Sequence, residues 1–138
     1  MKNYYFDMDG VLADFHSTYT NRAQGVSYDY FVGLAPFMAN IELARRLMAE
    51  GNRVYISSLA ANNDTKRAKL EWLAKYLPEL PRYRIIIIVG QSRTCNKADH
   101  MKTKTGILID DRKDNCEKWR RAGHEAIWLE VKGGTIEI

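Results

Sequence analysis

A short apolar run near the N-terminus ends in two aspartates that stand one residue apart. Residues 4–6 are Tyr-Tyr-Phe, and Asp7, Met8, Asp9 and Gly10 follow them directly. Because successive side chains of a strand point to opposite faces, Asp7 and Asp9 share a direction only where the chain leaves the strand, and Gly10 permits the turn there. Two carboxylates this close repel each other unless they share a proton or a cation. Taken alone, the pattern predicts a strand that ends either at a divalent metal site or in an ordinary polar turn.

Two further apolar runs end in polar side chains. One closes on Ser57 and Ser58, and the other closes on Asp110 and Asp111. In open α/β sheets, ligands bind beyond the carboxyl ends of the strands, so three such strands place these groups at one rim. A calcium loop also uses the Asp-x-Asp-Gly spacing, but this chain lacks the glutamate that closes such a loop at its twelfth position. The three runs together predict an active site.

Strands and helices are predicted to alternate along the chain. Its 138 residues, 46% of them hydrophobic, are typical of one globular domain with a core of its own. The patterns predict strands at about 2–7, 53–57, 84–89, 106–110 and 125–129 and helices at about 14–23, 40–50, 64–77 and 113–122. Asp64 is the expected cap of the third helix. This alternation favours right-handed crossovers and a mostly parallel sheet. We therefore expect a single α/β domain over residues 1–138.

Charge and cysteine content restrict the partners and the compartment only coarsely. The net charge of +4 and the pI near 9.1 favour anionic partners, which include both phosphorylated small molecules and nucleic acids. No stretch approaches the length of a membrane span, and the N-terminus shows no signal-peptide pattern. Cys95 and Cys116 are predicted to be free thiols in a reducing compartment. We expect a cytoplasmic protein with no membrane partner, and the patterns predict no particular oligomeric state.

The order of the motifs resembles the haloacid dehalogenase superfamily of phosphotransferases. That superfamily combines Asp-x-Asp-Gly, a strand-end serine, a lysine and Ile-Asp-Asp, and this chain carries the four in that order. Residues 7–15, 69–76 and 108–112 are more specifically similar to the 5′(3′)-deoxyribonucleotidase family. The resemblance implies a Rossmann-like three-layer αβα core with a mostly parallel five-stranded sheet. It also implies a cap insertion, for which residues 16–38 leave room only in minimal form.

The resemblance also implies chemical roles for the residues at the predicted rim. Asp7 would be the nucleophile that forms an aspartyl-phosphate, and Asp9 would protonate the leaving alcohol and then activate water. Ser57 would bind a phosphoryl oxygen, helped by backbone N–H groups near Met8, Asp9 and Ser58. These roles define a phosphomonoesterase that works through a covalent intermediate.

Mg²⁺ is the implied cofactor. It would neutralise charge between the nucleophile and the phosphate, which otherwise repel each other. Its ligands would be the Asp7 carboxylate, Asp9 through its backbone carbonyl, and Asp110 or Asp111, with the choice between the last two left open.

A lysine would clamp the phosphate and offset the charge of Asp7, and three lysines precede the last aspartates. Lys97 is favoured because the family places this lysine at the start of the stretch that leads to Ile-Asp-Asp. Lys102 is the alternative, with Lys104 as a third candidate. Arg112 and Asp114 are expected to form a salt bridge at the start of a helix.

The chain departs from the family around its cap. Phe15 matches an aromatic residue that packs against the nucleotide base, so it is a candidate substrate contact as well as a candidate core residue. The segment at 16–38 is much shorter than the cap of the family, and Ala61 stands where the family carries a basic residue. Base recognition is therefore in question, whereas the phosphatase residues are present.

We expect a Mg²⁺-dependent phosphomonoesterase of the 5′(3′)-deoxyribonucleotidase type that acts on nucleoside monophosphates. Two alternatives remain open. A polynucleotide 3′-phosphatase would suit a small cap and a basic balance of charge. A phosphate- or nucleotide-binding module would keep the fold without turnover.

Overall fold

The computed structural model describes residues 1–90 and 94–138, which form an α/β fold. The strands are β1 (Asn3–Phe6), β2 (Arg53–Ala60), β3 (Ile85–Val89), β4 (Ile107–Asp110) and β5 (Glu125–Trp128). The helices are α1 (Tyr28–Val32), α2 (Met38–Ala49), α3 (Asn63–Tyr76) and α4 (Lys113–Arg121). Short 3₁₀ turns lie at Arg22–Val26, Arg82–Arg84 and Lys97–His100.

The five strands of the described chain form one parallel sheet in the order β3-β2-β1-β4-β5. In the central strand, Phe6 pairs with Ile56 of β2 and with Ile109 of β4. The chain builds the sheet on one side of β1 and then crosses to the other side for β4 and β5. Such a reversal of strand order opens a crevice beyond the carboxyl ends of the strands. The predicted five-stranded α/β core is confirmed, and the crevice lies where Asp7 and Asp110 leave their strands.

Alternate side chains of the central strand pack against opposite layers. Tyr4 and Phe6 belong to the larger core, which they share with residues of α2 and α3. Tyr5 points the other way and packs with Trp119 of α4 in a smaller core. The indole N–H of Trp119 donates to the carbonyl oxygen of Gly106 at 3.0 Å, so its polar group is satisfied although the ring is buried. The sheet is therefore covered on both faces, as parallel sheets require.

The helix expected over residues 14–23 is wrong. In this segment, side-chain oxygens accept the backbone N–H groups that a helix would use. The carboxylate of Asp14 accepts the backbone N–H and the hydroxyl of Ser17. The amide oxygen of Gln24 accepts the backbone N–H groups of Thr20 and Asn21. Ser, Thr, Asn and Asp compete with helical hydrogen bonds in this way. The chain instead bends and forms the 3₁₀ turn Arg22–Val26 and the short helix α1.

Two other boundaries differ from the expected ones, and the remaining elements lie close to theirs. β2 continues to Ala60, beyond the expected end at Ser57. α3 is capped by Asn62, whose side chain accepts the backbone N–H of Thr65 at 2.8 Å, whereas Asp64 was the expected cap. Asn can serve as an N-cap as well as Asp, so spacing alone did not distinguish the two positions.

The segment between β1 and α2 packs on the larger core beside the carboxyl end of the sheet. Ala13 bridges Pro36, and α1 packs against α3. The indole N–H of Trp72 in α3 donates to the carbonyl oxygen of Leu34 at 2.8 Å. That residues 16–38 act as a cap over a substrate stays a prediction.

The structure also bears on two coarser expectations. Cys95 and Cys116 are buried free thiols. Among the helices of the described residues, none is both long enough and apolar enough to span a bilayer.

Candidate active site

Asp7 is the first residue beyond the central strand, and Gly10 turns the chain back over it. The backbone N–H of Asp7 donates to the carbonyl oxygen of Ile109 at 2.9 Å, which ties it to β4. Gly10 has a φ of 84°, and a Cβ atom there would lie 2.3 Å from Oδ2 of Asp111. Glycine is therefore needed twice, for a backbone conformation that L-residues rarely adopt and for the close approach of a carboxylate.

Lys97 lies buried among the carboxylates. Its Nζ atom is 3.0 Å from Oδ1 of Asp7, 2.8 Å from Oδ2 of Asp110 and 2.8 Å from the carbonyl oxygen of Ser57. Burial alone would lower the pKa of Lys97, but the carboxylates of Asp110 and Asp7 raise it above the usual value. An ammonium group has three N–H donors, so these three acceptors use all of them. Of the three candidate lysines, Lys97 is the one that the structure brings to Asp7.

Three carboxylates crowd around this lysine. One oxygen from each of Asp7, Asp110 and Asp111 lies within 4.8 Å of the others. Burial raises the pKa of Asp7, the positive charge of Lys97 lowers it, and the charges of Asp111 and Asp9 raise it, with a net result of about 6. Burial and the charge of Asp7 likewise raise the pKa of Asp110 to about 6, and burial raises the pKa of Asp111. Such a set of hard oxygen atoms fits a divalent cation.

The two adjacent aspartates have different surroundings. Oδ1 of Asp110 accepts the backbone N–H of Arg112 at 2.9 Å, while Oδ2 accepts the ammonium of Lys97 at 2.8 Å and the amide of Asn115 at 3.1 Å. Asp110 is fully buried, whereas Asp111 lines a cavity at the carboxyl end of the sheet. Asp111 is therefore the better placed of the two to hold a metal ion directly, and Asp110 holds the lysine.

Asp9 has a lysine of its own, which sequence reasoning missed. Nζ of Lys69 lies 3.0 Å from Oδ2 of Asp9, 2.9 Å from Oγ of Ser58 and 2.6 Å from the carbonyl oxygen of Leu59. Lys69 is 1% exposed. It shares the buried face of α3 with Thr65, Ala68, Trp72 and Leu73. A lysine in an apolar stripe at helical spacing was the available signal, because a buried lysine needs a partner.

Oδ1 of Asp9 is the one side-chain atom of the described site that is buried without a hydrogen-bond partner. Buried polar atoms are nearly always satisfied, so an orphaned one points to a missing partner. Because Lys69 already binds the other oxygen, Oδ1 is the atom of Asp9 that is left for a ligand.

A cavity of about 280 Å³ covers these groups. The lining residues that belong to the predicted site are Asp7, Asp9, Phe15, Ser58, Lys97 and Asp111. The other lining residues are His16, Leu59, Arg112, Asn115 and Lys132. The salt bridge between Arg112 and Asp114 forms with an N–O distance of 2.9 Å, as expected.

Not every predicted site residue faces this cavity. Ser58 lines it, while Ser57 is buried beside it and holds Lys97 through its carbonyl oxygen. Met8 is a core residue whose carbonyl oxygen accepts three backbone N–H groups of the following turn. Lys102 is not brought to the cavity, because its ammonium donates to the carbonyl oxygen of Tyr83 at 2.6 Å. Lys104 lies exposed before β4.

Comparison by sequence matches the chain to a family model and to two curated relatives. The model of the family described as "5′ nucleotidase, deoxy (Pyrimidine), cytosolic type C protein" matches residues 24–131. The chain is 29% identical over 104 residues to a 5′(3′)-deoxyribonucleotidase of Bacillus subtilis (strain 168) and, equally, to one of Bacillus phage SPbeta. These alignments cover 75% of this chain and 55% of each relative, so the chain spans about half the length of the curated relatives it matches.

Comparison by structure shows a shared fold. A chain in a structure of a Pnkp1/Rnl/Hen1 complex superposes with a TM-score of 0.66 at 14% identity, covering 94% of this chain and 46% of that one. A chain in a Pnkp1/Rnl/Hen1 RNA repair complex gives a TM-score of 0.65 at 15% identity, with 94% and 42% covered.

We expect Mg²⁺ to bind more tightly as the pH rises from about 5 to about 7.5. The pKa of Asp7 lies near 6, so below that value protons compete with the cation for this carboxylate. For each proton that Mg²⁺ must displace, the affinity for Mg²⁺ should fall about tenfold for every pH unit below the pKa. Isothermal titration calorimetry with MgCl₂ measures this dependence, and Asp111→Asn serves as the variant that should bind weakly throughout. A dissociation constant independent of pH in this range would contradict the expectation.

Proposed function

The chain belongs to the 5′ nucleotidase, deoxy (Pyrimidine), cytosolic type C protein family, and we propose that it is a Mg²⁺-dependent phosphomonoesterase acting on nucleoside monophosphates. The membership confirms the resemblance to the deoxyribonucleotidases that the motifs indicated. The family match begins after Asp7 and Asp9, so the geometry of the cavity is what supports their roles. One observation carries the proposal: the two aspartates lie at one cavity, and each is held by its own buried lysine.

Asp7 is the nucleophile in this proposal. Its carboxylate oxygen attacks phosphorus in line with the ester oxygen, the new bond forms an aspartyl-phosphate, and the bond to the leaving alcohol breaks. Lys97 fixes Oδ1 of Asp7, so the carboxylate keeps one orientation while its other oxygen remains for attack. Positioning and electrostatic stabilisation account for most of the catalysis in phosphoryl transfer.

Asp9 handles the protons of both steps. Lys69 holds Oδ2, which leaves Oδ1 to give a proton to the departing alkoxide and later to take a proton from water. That water then attacks the aspartyl-phosphate, releases inorganic phosphate and restores the Asp7 carboxylate. The hydroxyl of Ser58 accepts from Lys69, and its own proton is free to point at a phosphoryl oxygen.

The residues of the site fit Mg²⁺. Asp7 and Asp111 would hold it with their carboxylates, with the backbone carbonyl of Asp9 as a further oxygen ligand, and Asp110 would stand behind them through Lys97. When bound, the ion offsets the negative charge that the nucleophile and the phosphate bring together.

A nucleoside monophosphate suits the cavity and its surroundings. Phe15 lines the cavity and packs against Phe31, with ring centroids 5.4 Å apart, so an aromatic surface flanks the phosphate site. The relatives that match by sequence are named as deoxyribonucleotidases. Cytosolic location and a preference for pyrimidine deoxynucleotides, which the family name describes, belong to the same proposal.

A polynucleotide 3′-phosphatase is the second candidate. The net charge of +4 favours a polyanion, and the chains that share the fold come from an RNA repair complex. Binding to an oligonucleotide would weaken steeply with salt, since each neutralised phosphate releases counterions.

We expect the purified protein to release phosphate from deoxynucleoside 5′- and 3′-monophosphates with Mg²⁺ and not with chelator. The panel should include a sugar phosphate and a 3′-phosphorylated oligonucleotide, and malachite green detection measures the product. Release from the oligonucleotide alone would favour the second candidate. A protein that binds Mg²⁺ but hydrolyses none of these substrates would refute the proposed activity.

Asp7→Asn should abolish turnover, because an amide cannot act as the nucleophile. Asp9→Asn should lower kcat by about 10²- to 10⁴-fold, the usual contribution of general acid–base catalysis. Asp99→Asn, on the 3₁₀ turn after Lys97, is the matched control and should retain activity. The variants can be separated further by stopping the reaction with denaturant and measuring the phosphate that is bound covalently to the protein. Asp9→Asn can still form this aspartyl-phosphate because it keeps Asp7, whereas Asp7→Asn cannot. Turnover by Asp7→Asn at the wild-type rate would rule out the mechanism.

Lys69→Met should lower kcat at least about tenfold, because Asp9 loses the charge-assisted bond that orients it. Lys75→Met is the matched control: it removes the same charge from the same helix at a position away from the site. Steady-state kinetics give kcat, and urea unfolding shows whether the variant remains folded at the assay temperature. An unchanged kcat in a folded Lys69→Met protein would leave Lys69 without a role in positioning Asp9.

A further inference from the structure

The segment that follows β5 returns over the active site and is fastened there. The backbone N–H of Gly133 donates to the carbonyl oxygen of Gly10 at 2.8 Å. The side-chain amide of Asn40 donates to the carbonyl oxygens of Val11 and Gly134 at 2.8 and 3.3 Å. Ile136 is buried in the larger core. These contacts join the C-terminal segment to the loop that carries Asp7 and Asp9.

Gly133 shows how closely this segment packs. Its φ is +70°, and a Cβ atom there would lie 2.3 Å from the ring of Phe37. Glycine therefore permits both the backbone conformation and the contact with the ring. The residue before it, Lys132, is placed by these contacts rather than by a helix or strand.

Lys132 extends from this segment into the cavity. Its Nζ atom lies 3.4 Å from Oδ2 of Asp111, and Nε2 of His16 lies 3.9 Å from the same oxygen. The side chain of Lys132 is 43% exposed, whereas that of Asp111 is 4% exposed. The ammonium group therefore contacts a buried carboxylate while part of its own side chain stays exposed.

The other two lysines of the described site are already engaged. All three donors of Lys97 have acceptors, and so do those of Lys69. Arg112 makes two bonds to Asp114 through Nε and Nη2, which use only two of its five N–H donors. Among the lysines of the described site, Lys132 is the one with donors to spare for an incoming anion.

We propose that Lys132 binds the phosphoryl group of the substrate, and that it pairs with Asp111 until a metal ion takes over this carboxylate. The inference deepens the proposed function and rests on it. A lysine on a flexible stem suits this exchange, because its three donors rotate freely between acceptors. The C-terminal segment is then part of the phosphate site, although no motif of the sequence indicated it.

Calorimetry on the full chain tests this without requiring turnover. The probes are MgCl₂ alone and inorganic phosphate in the presence of saturating MgCl₂. The variants are Lys132→Met, which keeps the length of the side chain without its charge, and Lys132→Arg, which keeps the charge. Lys2→Met, at the opposite end of the central strand, removes the same charge away from the cavity and is the control.

Lys132→Met should bind inorganic phosphate about tenfold more weakly, the usual scale for a hydrogen bond to a charged group. The same variant should bind Mg²⁺ alone about threefold more tightly, since a partly exposed ion pair no longer competes for Asp111. Lys132→Arg should retain phosphate binding, and Lys2→Met should behave as wild type. With a nucleotide substrate, Lys132→Met should raise KM more than it lowers kcat.

Two results would overturn the proposal. One is an unchanged phosphate affinity in Lys132→Met, and the other is an equal loss in Lys2→Met, which would indicate only the overall charge. Failure of the proposed function has a different signature: wild-type protein would then bind Mg²⁺ and phosphate but release no phosphate from any nucleotide.

Discussion

The buried contact of Lys97 with Asp7 and Asp110 is the interaction on which the site depends. It joins residues that leave two neighbouring strands to a 3₁₀ turn far from Asp7 in the chain. Removing one partner from a buried ion pair typically costs about 3–5 kcal/mol, because the remaining charge has no compensation. The contact therefore fixes Asp7, the proposed nucleophile, at the reversal of strand order, where a parallel sheet already provides a crevice.

A second buried lysine gives each of the two N-terminal aspartates a lysine partner of its own. Lys97 holds Asp7 and also donates to the carboxylate of Asp110 and to a backbone carbonyl. Lys69 holds Asp9 and also donates to the hydroxyl of Ser58 and to a backbone carbonyl. Groups that are fixed before the substrate arrives need no reorganisation during the reaction. The free energy spent on burying these charges thus contributes to holding Asp7 and Asp9 in place. In the proposal for Lys132, by contrast, Asp111 and Lys132 at the cavity change partners.

The sequence was most informative where local patterns decide structure. Apolar runs located all five strands, and Asp7 and Asp110 were correctly expected at one rim because parallel strands end at one edge. Residues 14–23 were misassigned because side-chain hydrogen bonds displaced the helical ones, which a periodicity pattern does not register. The proposed roles of Lys69 and Lys132 depend on contacts between distant parts of the chain. Helical spacing could indicate that Lys69 is buried and needs a partner, but it could not identify that partner.

Residues 16–38, the predicted cap, are few and offer little surface for recognising a substrate. Phe15 packs against Phe31 and Tyr19, with ring centroids 5.4 and 4.7 Å apart, so part of its surface is already used in holding the segment together. Apolar stacking also discriminates poorly among bases, since every base offers an aromatic face. Affinity must then come mainly from the phosphate, which every candidate substrate shares. A site built in this way would select strongly for the phosphomonoester and only weakly for the group that carries it.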